Sequence, residues 1–194
     1  MVNFFDEATP EAWQAALDSY PKAIDARASK KGKKDLPKLD SWWRKEFPQE
    51  VAKRYPPHAT KKELLDVLRW KATRNSSRPF LKKLIEKNSE KDVRTCTEAA
   101  FKALGPLNTA AATAIAAASK LYGVGPATAT ALLTPFCEAL PFLADEAIAA
   151  VFPPCHEIKY TLPEFKAVYK AFHAKAAALG GDWTAEGIGR ALWA

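Results

Sequence analysis

The chain has 194 residues, 48% of them apolar, so it can bury roughly 70% of its unfolded surface in a helical core and is not a disordered polymer. Its longest apolar stretches are broken by Pro, Thr or charge well short of the ~18 residues that a membrane span needs, and Met1 to Glu7 lacks the basic-then-apolar pattern of a signal peptide; an intracellular protein, nuclear or cytoplasmic, with no membrane partner is expected. Net charge is +7, and it is uneven: residues 1–100 carry 22 Lys or Arg against 15 Asp or Glu, whereas residues 101–194 carry 7 against 7, a distribution that suits a polyanion because neutralised phosphates release counterions.

Thr9 as cap, Pro10 in the first turn and Glu11 near the positive end predict a first helix with a stripe of Trp13, Ala16, Leu17 and Tyr20. Pro21 is expected to begin another turn or helix, through Ile24 to about Ala28. Lys30, Lys31, Lys33 and Lys34 then make a basic loop around Gly32, which either tracks a phosphate backbone or faces water. Leu36 to Tyr55 predicts one helix carrying Leu39, Trp42, Trp43 and Phe47 on one side, then a short one with Val51; these aromatics suit a core or an unpaired base.

Thr60 and Glu63 form a capping box for a helix with Leu64, Leu65, Val67, Leu68 and Ala72. Lys71 follows Leu64 by seven residues, Val67 by four and Leu68 by three, which places its stem on or beside the apolar stripe, and Arg74 continues that line. A lysine so placed snorkels, pairs or faces a cavity; a ligand-facing role beside Arg69, Arg74 and Arg78 is one candidate. Pro79 to Lys87 predicts an amphipathic helix with Phe80, Leu81, Leu84 and Ile85 inward. Ser89 and Asp92 cap the next, about Glu90 to Leu104, with Val93, Cys96, Ala100 and Phe101 inward and Gly105-Pro106 as its stop. The alanine-rich stretch from Asn108 to Leu121 predicts a closely packed helix.

Beyond it, Pro135 to Leu143 is a connector and Asp145 to Val151 a short helix for which Asp145 is an available N-cap. Thr161, Pro163 and Glu164 open a long helix carrying Phe165, Val168, Tyr169 and Phe172, ended by Gly180-Gly181, and a last short helix returns Leu192 and Trp193 to the body. Cys96, Cys137 and Cys155 lie far apart, so buried thiols are expected and neither a disulfide framework nor a metal site is. No strand-like alternation of useful length occurs. The prediction is an all-α fold, with a basic helical part over 1–105 and an Ala-rich part over 106–194 around one shared core, as a monomer.

The segment Leu121-Tyr122-Gly123-Val124-Gly125-Pro126 reads as the tip of a helical hairpin. Gly123 and Gly125 are expected in conformations that a Cβ disfavours, and Pro126 suits the first position of the new helix. The amides after Gly125 lack partners inside that helix and carry its positive dipole end, so they can hold a phosphate without a side-chain charge. Small residues at Ala127, Thr128, Ala129 and Ala131 let the second helix pack on the first.

This pattern, Leu121-x-Gly-Val-Gly-x-x-Thr-Ala, resembles the helix-hairpin-helix motif, and the resemblance implies contact with DNA, double-stranded in the main, through Gly123, Val124, Gly125, Ala127 and Thr128, with a monovalent cation at the hairpin carbonyls as a possible cofactor. The glycosylase branch of that superfamily adds a catalytic aspartate 22 residues after the first hairpin glycine, which is Asp145 here. The chain departs from the branch in two places: Ala127 stands where bifunctional members carry a lysine nucleophile, and Ala147 where a histidine is usual. The resemblance therefore implies an enzyme without lyase activity, if an enzyme at all. More loosely, Trp70 to Arg74, Arg78 to Leu81 and Ala191 to Trp193 resemble an uncharacterised family of eukaryotic proteins. Three functions remain open at this point: a backbone-holding DNA-binding protein, with Lys71, Arg74 and Arg78 as further contacts; a monofunctional DNA glycosylase using Asp145, with Lys71, Arg74 or Trp70 lining its pocket; and a protein-interaction scaffold.

Overall fold

The computed structural model describes residues 4–75, 79–105 and 110–194. Its helices are α1 (Phe4–Glu7), α2 (Pro10–Ala28), α3 (Leu36–Ser41), α4 (Phe47–Ala52), α5 (Lys61–Arg74) and α6 (Pro79–Glu86), then α7 (Glu90–Leu104), α8 (Ala111–Ala118), α9 (Pro126–Leu133), α10 (Asp145–Val151), α11 (Leu162–Leu179) and α12 (Ala185–Trp193). Among the described residues there is no strand, and no helix is long and apolar enough to cross a membrane.

Helix starts follow local chemistry. Thr9 Oγ1 accepts from the Ala12 amide at 3.3 Å, and reciprocal capping boxes open α5 (Thr60 and Glu63), α7 (Ser89 and Asp92) and α11 (Thr161 and Glu164), each meeting amides that have no intrahelical acceptor. Two proline positions depart from expectation. The helix α2 runs straight through Pro21, because Tyr20 and Ile24 are buried on either side of it while Pro21 faces solvent, where water can reach the carbonyl left without a donor. The helix expected to carry Leu39 through Phe47 is interrupted, with a π turn at Trp42–Glu46 between α3 and α4, and Phe47 already belongs to the short helix that holds Val51. That wider turn ends two residues before Pro48, which has no N–H to give.

Packing joins the two parts of the chain into one core that extends from Phe5 to Ala191. At its centre the indoles of Trp43 and Trp70 stack with centroids 3.9 Å apart and planes 9° apart. Trp43 Nε1 also donates to the Ala131 carbonyl in α9 at 2.7 Å. The residue four positions on is Pro135, so this carbonyl has no helical donor and the indole takes that place. The aromatics of the 36–55 stretch serve the core: Trp43 and Phe47 are buried, and Trp42 packs half-buried against them.

Beside the stack lies a buried polar cluster. Tyr20 donates to Asp40 Oδ1 at 2.8 Å and accepts from Arg44 at 2.8 Å and from Arg74 at 3.0 Å, and Trp70 Nε1 donates to the same Asp40 oxygen at 2.9 Å. Burial, partly offset by the two guanidinium groups, pushes the Tyr20 hydroxyl up to about 12, so it stays protonated at neutral pH. Arg44 continues to Glu186 of α12, and Arg74 to Glu146 of α10 at 3.2 Å. Removing the indole donor tests how far this centre depends on one hydrogen bond. Trp43→Phe is expected to lower the unfolding free energy by about 2–4 kcal/mol, from the orphaned Ala131 carbonyl plus the smaller ring; urea melts showing a loss below about 1 kcal/mol would mean that another donor fills the gap.

Candidate functional site

Helices α8 and α9 are joined by the 119–125 turn. Gly123 has φ of +77°, and a Cβ there would come within 3.0 Å of Leu84 Cβ and Ile85 Cγ1 and 3.1 Å of the Ile85 amide, so α6 seals the inner side of the turn and only glycine fits. Gly125 differs from expectation: its φ of −91° and ψ of −178° are ordinary extended backbone at the N-cap of α9, and a Cβ would meet nothing within 4 Å. The tip is braced from below by Asn88, which is buried, donates to the Tyr122 carbonyl at 3.0 Å and accepts from the Tyr122 amide at 2.9 Å.

Val124 is buried and its amide donates to the Leu121 carbonyl at 3.1 Å; Gly125 is exposed. Among the described residues, the amides of Gly123, Gly125 and Ala127 donate to no protein acceptor. The side chains of Ala127 and Thr128 are buried, so the segment offers an anion its backbone rather than its side chains. The Leu121, Tyr122 and Gly125 carbonyls each accept a hydrogen bond within the protein. Lys83 on α6, Lys87 just after it and Lys120 in the turn are exposed and pair with no carboxylate among the described residues. Unpartnered amides and exposed lysines thus both occur on the turn and on the 83–88 stretch that packs against it.

Next to the hairpin, α5, α6 and the 142–145 segment enclose a cleft of about 690 Å³ in which Lys71 and Asp145 both lie. Its walls are apolar, from Leu65, Leu68, Leu81 and Phe142, and its rim is charged. Lys71 Nζ reaches to 3.4 Å from Thr128 Oγ1 of α9 and lies 5.6 Å from the centre of the Tyr160 ring. Asp145 is the first residue of α10, not its cap. Ala144 holds the N-cap position and supplies no side-chain acceptor, while the Asp145 carboxylate accepts from the Tyr160 hydroxyl. Its backbone is placed by α9, since Thr130 Oγ1 accepts from the Leu143 amide at 3.0 Å.

Tyr160 has φ of +55°, a conformation that a bulky residue keeps only when its surroundings impose it. Glu164 imposes it, accepting from the amides on either side, Lys159 at 3.0 Å and Thr161 at 2.6 Å. Burial alone would push the Glu164 carboxyl up, but the Thr161 and Lys159 amides, with His156 and the Thr161 hydroxyl, hold it down at about 2. A chain of contacts therefore runs from Glu164 through Tyr160 to Asp145.

Other expected contacts lie elsewhere. Arg74 does not face the cleft: it is 4% exposed, pairs with Glu146 and stacks 4.5 Å above Trp193. The helix turns it one step past Lys71, into the polar cluster. Trp70 is likewise enclosed by Trp43. Arg78 lies outside the described residues. In the basic loop, Lys33 Nζ caps α5 through the Ala72 carbonyl at 2.5 Å and the Asn75 carbonyl at 3.0 Å, a structural use for one of the four lysines. Cys155 is exposed, Cys96 half-buried and Cys137 buried, and among the described residues no group of three His, Cys, Asp or Glu side chains could hold a metal.

Because Glu164 is held down at about 2 in the folded protein against an ordinary 4.5, its contribution to stability is complete above about pH 4.5 and is lost as pH falls towards 2. The loss is expected to reach about 3 kcal/mol, and Glu164→Gln should flatten the acid limb of a stability profile; an unchanged profile would remove the clamp on Tyr160. Comparison with known proteins gives no match among protein families, curated proteins or solved structures.

Proposed function

We propose that the protein binds DNA through the hairpin, holding one phosphate on the free amides around Gly125 and others on Lys83, Lys87 and Lys120. The observation that carries this reading is the exposed, unpartnered backbone at Gly125, in a turn whose Tyr122 and Gly123 are backed by Asn88 and α6. Amides at a helix start favour an anion by both hydrogen bonding and dipole. Contacts of this kind position a duplex without specifying its sequence. With about three phosphates neutralised, the salt slope is about −2.7, and a fourfold rise in salt weakens binding roughly 40-fold.

The open space at Gly125 permits a test that leaves folding intact. Gly125→Ala is expected to bind a short duplex as the parent does. Gly125→Asp places a carboxylate where the phosphate would sit and should weaken binding at least about tenfold, the equivalent of one lost charge-assisted contact. Equal affinities for the two variants would remove the hairpin from the interface.

A second reading is favoured by the cleft. Its volume admits a nucleotide turned out of the duplex, and the carboxylate of Asp145 lies in it next to the hairpin that would hold the backbone. In that reading the chain is a monofunctional DNA glycosylase: Asp145, oriented by Tyr160, stabilises the positive charge that develops on the sugar as the base departs and orients the incoming water, and Lys71 holds the nucleotide's phosphate. Hydrolysis then leaves an abasic strand uncut. Base release from duplexes carrying a panel of lesions should fall at least about 100-fold on Asp145→Asn; release that survives the substitution would strip Asp145 of this role.

A further inference from the structure

The hairpin tip also carries an aromatic ring that phosphate contacts leave unused. Tyr122 is 65% exposed, yet its backbone is held at both its amide and its carbonyl by Asn88 and is followed by Gly123, locked against Leu84 and Ile85. A large ring on a fixed backbone offers contact area at small conformational cost. One helical turn before Leu84, Phe80 of α6 is 57% exposed, although its place in the amphipathic pattern predicts an inward side chain. Lys83 on α6, Lys87 just beyond its end and Lys120 in the turn are also exposed.

Exposed aromatic faces among unpaired cations, next to amides that suit a phosphate, are the components of a base-stacking platform. The charge favours a polyanion over an apolar protein partner. Bases inside an intact duplex are already stacked and give a side chain at the backbone no face to cover, whereas a nucleotide at an interruption does. We propose that Tyr122 stacks on a nucleobase exposed where a DNA duplex is interrupted, so that the protein prefers a duplex with an unpaired nucleotide to the same duplex fully paired. The proposal rests on the DNA-binding reading given above.

Three DNAs of equal length test it: a paired duplex, the same duplex with one unpaired 2-aminopurine, and the single strand. The unpaired duplex is expected to bind about tenfold tighter than the paired one, within the range for a single base–aromatic stack, and its 2-aminopurine fluorescence should fall on binding. Tyr122→Phe should keep both effects. Tyr122→Ala should bring the two duplex affinities within about twofold of each other while leaving that for the paired duplex unchanged. Equal binding of both duplexes by the parent protein, or a preference that persists in Tyr122→Ala, overturns the stacking proposal alone. Failure to bind any of the three DNAs overturns the DNA-binding reading as well.

Discussion

Proline at position 135 deprives the Ala131 carbonyl of its helical donor, and the molecule is arranged around the way that carbonyl is met. The Trp43 indole reaches it at 2.7 Å while lying flat on Trp70, so one side chain fixes the π-turn region, α5 and α9 relative to each other. A buried, unpaired carbonyl costs more than an ordinary hydrogen bond gains, which makes this a demand on the fold as well as a contact. Because α5 carries Lys71 and α9 carries the hairpin, the same indole sets the distance between cleft and turn. The adjoining Tyr20, Asp40, Arg44 and Arg74 cluster then draws in α12 through Glu186, tying the end of the chain to its beginning.

Local signals proved readable where one turn of backbone decides the outcome. Thr60, Ser89 and Thr161, each with an acid three residues later, mark helix starts that the structure retains. Elements that depend on distant partners were less readable. Pro21 looks like a stop until Tyr20 and Ile24 are both buried around it. Lys71 and Arg74 share one line of the helical pattern, yet the first opens on the cleft and the second turns over the Trp193 ring and to Glu146, partners supplied by α12 and α10. Gly123 and Gly125 look equivalent as letters; only the first has α6 behind it.

The candidate site was half visible. The position of Asp145 came from a spacing, and the ordinary use available to it, capping α10, is not the one its carboxylate finds. Tyr160 gave no signal, since its approach to Asp145 needs a left-handed backbone that the sequence does not advertise and that Glu164 enforces from four residues away. Asn88 was hidden for a related reason: it stands just before a capping serine, and its side chain serves a turn 34 residues later. Both are rigidifying residues. They hold the tip and the carboxylate still, as a site must be held if its geometry is to matter to a ligand.

In the proposed DNA-binding role, the unpartnered amides of the turn receive an anionic backbone. Residue-resolved amide shifts, followed by NMR while a short DNA duplex is titrated into the intact chain, address this directly. The Gly123, Gly125 and Ala127 resonances are expected to move first and furthest, together with those of Lys83, Lys87 and Lys120. Shifts confined to the opposite side of the molecule, or a turn that stays silent while other residues respond, would contradict it.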